Sequence, residues 1–284
     1  MTIERVGVIG GGLMGSGIAE VCARAGSDVI VHEINAEVAE AALGRMEKSL
    51  DRAVERDKLD QIGRSEILSR ITLSTDMTDQ ADRQLVIEAA TENEGLKKQI
   101  FTDLDEIVTD SDAIFASNTS SIPITRIASA TRRPDHVVGL HFFNPVPVMA
   151  LVELVTTVMS DPNVENRAQA YAESVGKTVI RAKDRAGFVV NMLLIPFLLG
   201  AVRMYEAGVA TKEDIDTAMR LGANHPMGPL ELADFVGLDT TKYVADVLFE
   251  EYKEPMYASP PLLTRMVEAG LHGRKTGRGF YDHS

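Results

Sequence analysis

The chain of 284 residues contains no tryptophan and a single cysteine, Cys22, and only 5% of it is aromatic. One thiol builds neither a disulfide framework nor a cysteine-based zinc site, so a reducing cytoplasm fits. Basic charge is also in deficit, with 29 lysines and arginines against 42 aspartates and glutamates, a net charge of −13. That balance argues against a nucleic-acid partner or an anionic membrane surface, while leaving room for a local basic patch. Long apolar runs are missing. The longest, Met192 to Val202, has 11 residues and includes Pro196 and Gly200, whereas a bilayer span needs about 20, so it reads as a buried, kinked helix. The first residues enter a strand without a basic and apolar leader, and no secretory signal is expected. What is left is the composition of a soluble globular protein, long enough for two ordinary domains.

The most informative stretch lies at the start. Val6 to Ile9 reads as a strand running into a loop in which Gly10, Gly12 and Gly15 have the Gly-x-Gly-x-x-Gly spacing. A helix from about Leu13 to Ala25 follows, and then a strand from Val29 to His32. This spacing supplies a tight turn, a backbone that lets a pyrophosphate approach, and close helix-to-strand packing. The N–H groups of the helix start, around Leu13 and Met14, would face the phosphates. Glu33 comes 18 residues beyond Gly15, near the distance at which a carboxylate meets the adenosine ribose hydroxyls. The same charge would repel a 2′-phosphate, and Ile34, Asn35 and Ala36 offer no arginine to hold one. NAD is therefore expected rather than NADP.

Strand-like runs alternate with helical patterns through the first two-thirds: Ile71 to Ser74, Leu85 to Glu88, Ala113 to Ser117, Val137 to Phe142, Leu151 to Val155 and Thr178 to Arg181. This alternation predicts an α/β, Rossmann-like domain with a mostly parallel sheet over residues 1–184. After Asp184 the β-branched runs give way to helical periodicity, which predicts an all-α C-terminal domain over 185–284. There Thr211 with Asp214 resembles a capping box, Asp239 is placed to cap a helix from Thr240 to Tyr252, and Pro260 with Pro261 opens another.

Oxidation of an alcohol with NAD needs a base for the hydroxyl proton, and among six histidines only His141 has a convincing setting. It ends a predicted strand at the edge where open α/β sheets place ligands. Glu153, in the strand-like run Leu151 to Val155, is the best partner to fix its tautomer. The alternative is a structural histidine and a glutamate on the wet face of an edge strand. Ser117 to Ser121 closes another strand at the same end, either as a turn or as a holder of substrate or nicotinamide. Asn191 either caps the apolar helix or faces a cleft between the domains. Lys48, Arg52 and Arg56 recur every four residues, with Arg45 close by, and form either a solvated face or a grip for a polyphosphate tail such as that of coenzyme A. No tyrosine is followed four residues later by lysine, and no ligand cluster for zinc is evident, so two other dehydrogenase chemistries are disfavoured.

With these residues in view, the sequence resembles the L-3-hydroxyacyl-CoA dehydrogenases, and its length that of the short bacterial 3-hydroxybutyryl-CoA dehydrogenase type. Seven ordered segments carry the resemblance: Gly10 to Gly15, Ser117 to Ser121, His141 to Pro147, Gly187 to Asn191, His225 to Pro229, Asp239 to Thr241 and Gly273 to Tyr281. It implies that His141 is the general base, that Glu153 orients it, and that Ser120 and Asn191 contact the reacting oxygen or the nicotinamide. It further implies that Glu33, Glu92, Lys97, Ser120 and Asn144 touch NAD, that Ser49 and Arg56 meet coenzyme A, and that the helical domain forms a homodimer. Two departures stand out: Met192 where many relatives have arginine or lysine, and Glu33 where animal members have aspartate. Two rival readings remain, an NAD-dependent dehydrogenase of a free hydroxy or sugar acid and a non-catalytic NAD-binding protein.

Overall fold

The computed structural model describes residues 2–284, and the chain divides into two compact units, Met1–Arg185 and Ala186–Ser284. The first is built on eight strands: β1 (Arg5–Ile9), β2 (Asp28–His32), β3 (Ile71–Ser74), β4 (Leu85–Glu88), β5 (Ile114–Ser117), β6 (Val137–Phe142), β7 (Leu151–Thr156) and β8 (Thr178–Lys183). They form one sheet in the order β3-β2-β1-β4-β5-β6-β7-β8. Every neighbouring pair is parallel except β6 with β7. From β1 the chain steps outward to β2 and β3, and from β4 it steps the other way. The crevice at the carboxyl ends of β1 and β4 is thus the switch point at which such sheets receive ligands.

Six helices connect the strands: α1 (Leu13–Arg24), α2 (Ala36–Glu55), α3 (Gln61–Ser69), α4 (Glu94–Ile107), α5 (Ile124–Ala128) and α6 (Pro162–Ser174). Strands covered on both faces need apolar side chains throughout, and Val6, Val8, Val29, Val31, Leu85 and Ile87 are fully buried. Several helices start on a side chain that takes an otherwise orphaned N–H. Asn35 accepts from Val38 N at 2.9 Å, Asn93 from Leu96 N at 2.9 Å and Asp161 from Asn163 N at 2.7 Å. Helix α1 is different, since it begins at Gly12 with no side-chain cap. Cys22, on α1, has no exposed surface, and burial pushes its thiol up to about 12. A thiol so shifted is inert at neutral pH.

The second unit packs α7 (Val190–Glu206), α8 (Lys212–Gly222), α9 (Pro229–Val236), α10 (Leu238–Tyr252) and α11 (Pro261–Glu268) around Leu198, Leu199, Val202, Leu230, Leu248 and Leu263. Helix α7 runs on through Pro196. Thr211 caps α8 as expected, accepting from Asp214 N at 3.1 Å. Asp239 does not cap α10. That helix starts at Leu238, two residues before the expected Thr240, and Asp239 instead pairs with Lys275 at 2.9 Å. Two buried aspartates tie the unit together. Asp216 accepts from Leu230 N and Glu231 N at 2.8 and 2.9 Å, and Asp234 from Phe280 N and Tyr281 N, both at 2.9 Å. A Cβ at Gly228 would lie 2.2 Å from that of Asp216, and one at Gly279 2.1 Å from Asp234 Oδ1. The segments around these glycines therefore serve packing. Among the described residues, no helix is long and apolar enough to cross a membrane.

Candidate active site

The loop from β1 into α1 is shaped by what its glycines leave out. Gly10 has φ +92°, and a Cβ there would lie 3.0 Å from the backbone of Ala89 and Ala90. A Cβ on Gly15 would lie 1.7 Å from Gly10 O, so nothing larger than glycine lets α1 approach the turn. At Gly12 a Cβ would meet nothing within 4 Å. A backbone open at Gly12, beside an uncapped helix start bearing Leu13 and Met14, fits a dinucleotide pyrophosphate. Glu33 is buried, and its Oε1 accepts from Gly11 N at 2.5 Å. The carboxylate assigned to the ribose therefore also fastens the glycine loop to the end of β2. Arg45 and Ser16 hold the same loop through Gly11 O, at 2.9 and 2.6 Å.

At the ends of β4 and β5 lies a buried network that the sequence reading did not assemble. Glu88 has no exposed surface; its Oε1 accepts from Lys97 Nζ at 2.6 Å and Ala90 N at 2.7 Å, and its Oε2 from Ser117 Oγ at 2.6 Å. Lys97 reaches Glu92 at 3.3 Å as well. Glu92 Oε1 in turn accepts from Thr119 Oγ1 at 2.5 Å, Ser121 Oγ at 3.0 Å and Ser120 N at 3.2 Å. Asn118 Oδ1 accepts from Phe142 N at 2.9 Å and ties this loop to β6. Four of the five polar residues from Ser117 to Ser121 are thus engaged inside the protein, while the Ser120 hydroxyl takes no part in the network. Lys97 is only 1% exposed, with its ammonium directed at Glu88 and Glu92. Glu88 itself was hidden in sequence as the last letter of an apolar run.

The His141–Glu153 pair is set by strand register. β6 and β7 are antiparallel with His141 directly opposite Glu153, and directly opposed residues project from the same face. His141 Nδ1 lies 2.6 Å from Glu153 Oε2; His141 is 6% exposed and Glu153 not at all. β7 is an interior strand, flanked by β6 and β8, which excludes the wet edge. An ionised carboxylate accepts from Nδ1–H, fixing the tautomer in which Nε2 carries the lone pair. The Phe143 ring lies over the imidazole, with centroids 4.6 Å apart. Because β6 runs parallel to β5, His141 sits at the carboxyl edge shared with the glycine loop.

Beside that loop is a cavity of about 210 Å³ lined by Leu13, Ser16, Gly17 and Glu20 of α1, by Arg45, Lys48, Ser49 and Arg52 of α2, and by Asn144 to Pro147 of the β6–β7 connection. Ser49 and Asn144 are brought together here. Arg56 is not among the lining residues; it follows the last residue of α2 and is exposed, whereas Arg52 and Arg45, about one and three turns back, do face the cavity. Asn191 belongs to the second unit. It is half-buried in the first turn of α7 and does not cap it, since the cap position is Val189, without a side-chain bond.

Comparison with known proteins agrees with this geometry. The sequence model of the 3-hydroxyacyl-CoA dehydrogenase NAD binding domain matches residues 5–185, and that of the C-terminal domain matches residues 187–283. The chain is 57% identical to a 3-hydroxybutyryl-CoA dehydrogenase of Mycobacterium tuberculosis, covering 99% of both chains. It is 43% identical to the human mitochondrial hydroxyacyl-coenzyme A dehydrogenase, over 99% of this chain and 91% of that one. Among solved structures, the (S)-3-hydroxybutyryl-CoA dehydrogenase of Ralstonia eutropha superposes with a TM-score of 0.96 at 44% identity, covering all of both chains.

Proposed function

The chain belongs to the 3-hydroxyacyl-CoA dehydrogenase family and is an NAD-dependent oxidoreductase, and from that premise we propose that it interconverts (S)-3-hydroxybutyryl-CoA and acetoacetyl-CoA. The observation that carries this reading is the direct cross-strand pairing of His141 with Glu153 at 2.6 Å. Bound NAD supplies the hydride acceptor, and the glycine cradle with Leu13, Met14, Glu33, Glu92, Lys97, Ser120 and Asn144 is the set of residues to hold it. His141 takes the substrate's hydroxyl proton at Nε2, or returns it in reduction. Glu153 holds the ring through Nδ1 and offsets the positive charge that arrives with that proton. The resemblance gives Ser120 and Asn191 contact with the reacting oxygen or the nicotinamide.

The cations of the α2 cavity wall, Arg45, Lys48 and Arg52, suit the phosphates of coenzyme A, with Ser49 beside them. The enzyme works in a reducing cytoplasm, consistent with its one buried thiol. It acts as a homodimer through the helical unit, where Leu193, Val209 and Leu221 are exposed at 71%, 69% and 83%.

Steady-state NADH oxidation with acetoacetyl-CoA against free acetoacetate tests the substrate class. The thioester should be preferred in kcat/KM by orders of magnitude, because binding energy from the remote nucleotide is available to it alone. Equal use of the two would point instead to a free hydroxy-acid dehydrogenase, and tight NADH binding without turnover of either to a non-catalytic protein.

A further inference from the structure

The connection between the two catalytic strands, residues 143–150, has no regular structure of its own, yet it carries one wall of the cavity beside α1 and α2. Its backbone is secured from below by one side chain. Lys177, at the entry to β8 and 8% exposed, donates from Nζ to Val146 O at 2.5 Å and to Met149 O at 2.9 Å. Within the connection Pro145 O accepts from Val148 N and Met149 N, both at 2.9 Å, and its last residue is tied to β8, Ala150 O accepting from Thr178 N at 2.7 Å. From the other side it rests on α1. A Cβ added to Gly17 would lie 2.8 Å from Val146 Cβ, so helix and connection are already in close contact.

We propose that Lys177 is a positioning residue for the coenzyme A end of the substrate: by gripping Val146 O and Met149 O it sets the distance between the Asn144 to Pro147 wall and the cationic wall of α2. The inference rests on the coenzyme A reading of that cavity. Burial lowers the Lys177 pKa from its usual range, but charged or neutral the amine has at least two hydrogens for the two carbonyls. Replacing it with an apolar chain leaves the buried Val146 carbonyl and the part-buried Met149 carbonyl without that donor, a state the backbone relieves by moving. The catalytic strands are held independently by their own ladder, so the wall shifts more than the His141–Glu153 pair does.

The test compares two thioesters, acetoacetyl-CoA and acetoacetyl-N-acetylcysteamine, which lacks the nucleotide, in the wild type, in Lys177→Met and in Gly17→Ala. In Lys177→Met the KM for acetoacetyl-CoA should rise about tenfold, the scale of a displacement below 1 Å, with kcat and the KM of the truncated thioester little changed. Gly17→Ala pushes on the same wall without touching Lys177 and should raise the same KM by a smaller factor, which decides the matter if Lys177→Met does not fold. An unchanged KM for acetoacetyl-CoA in both folded variants, or a loss shared equally by the two thioesters, overturns the proposal. A wild-type enzyme that uses both thioesters equally well refutes the coenzyme A reading of the cavity instead, a result visible before any variant is made.

Discussion

Two pairs of buried charge-bearing groups sit at the carboxyl edge of the same sheet, and they differ in what the partner can do. Glu88 faces Lys97 at 2.6 Å with side-chain exposures of 0% and 1%; Glu153 faces His141 at the same distance with exposures of 0% and 8%. In the first, both carboxylate oxygens are committed to an ammonium, a hydroxyl and a backbone N–H, and no step of the reaction changes the partner's charge. In the second, the partner is an imidazole, whose two ring nitrogens let it serve as proton donor or acceptor. Equal distance and similar burial thus accompany an architectural tie in one place and, in the proposed reaction, an acid–base device in the other. Burial alone does not mark a catalytic carboxylate.

The comparison can be tested by exchanging its terms. The largest effect is expected from Glu153→Gln, which keeps the shape but can offer an N–H to Nδ1 and select the wrong tautomer. Its kcat should fall by about 10²-fold or more while the unfolding midpoint moves little, the behaviour of an equivalent change in the serine protease triad. Steady-state kinetics beside thermal unfolding reads both, and a variant with a lowered unfolding midpoint but normal kcat would move Glu153 into the architectural class. Lys97→Met should act first on stability, with a raised KM for NADH beside it because Lys97 belongs to the set proposed to hold the cofactor. It strands Glu88 in the interior, at a cost of about 3–5 kcal/mol by chemical denaturation. Pairing it with Glu88→Leu should recover much of that loss, because the uncompensated charge is then gone. The smallest effect belongs to Ser121→Ala, which removes one of the donors to the partly exposed Glu92. A loss of about 1 kcal/mol is expected, with KM for NADH reporting whether the loosened Ser120 loop still holds the cofactor.

Much of this arrangement was legible in the sequence because it follows short-range rules. The strands at Ile71–Ser74, Leu85–Glu88 and Val137–Phe142 match their apolar runs to the residue, and the glycine spacing encodes contacts that only a missing side chain permits. His141 and Glu153 stood out as polar residues in strands that have no other use for them. The Lys97 network was harder to see, since Glu88 closes an apolar run and its partners come from the following helix and the next strand. Only the sheet order brings these together. The resemblance points to Arg56 for coenzyme A, whereas helical spacing names a face shared with Lys48 and Arg52 without saying where along it the cavity lies. Asp239 looked like a cap, but Gly237 at φ +101° starts the helix earlier and leaves Asp239 to Lys275.

In the proposed reaction His141 performs the proton transfer. The most direct measurement is single-turnover oxidation of NADH by acetoacetyl-CoA in His141→Ala, run beside NADH binding followed by fluorescence. General-base catalysis of this kind contributes about 10²- to 10⁴-fold, so turnover should fall by that factor while the Kd for NADH stays close to that of the wild type. A variant that binds NADH normally and still reduces acetoacetyl-CoA at the wild-type rate would contradict the account.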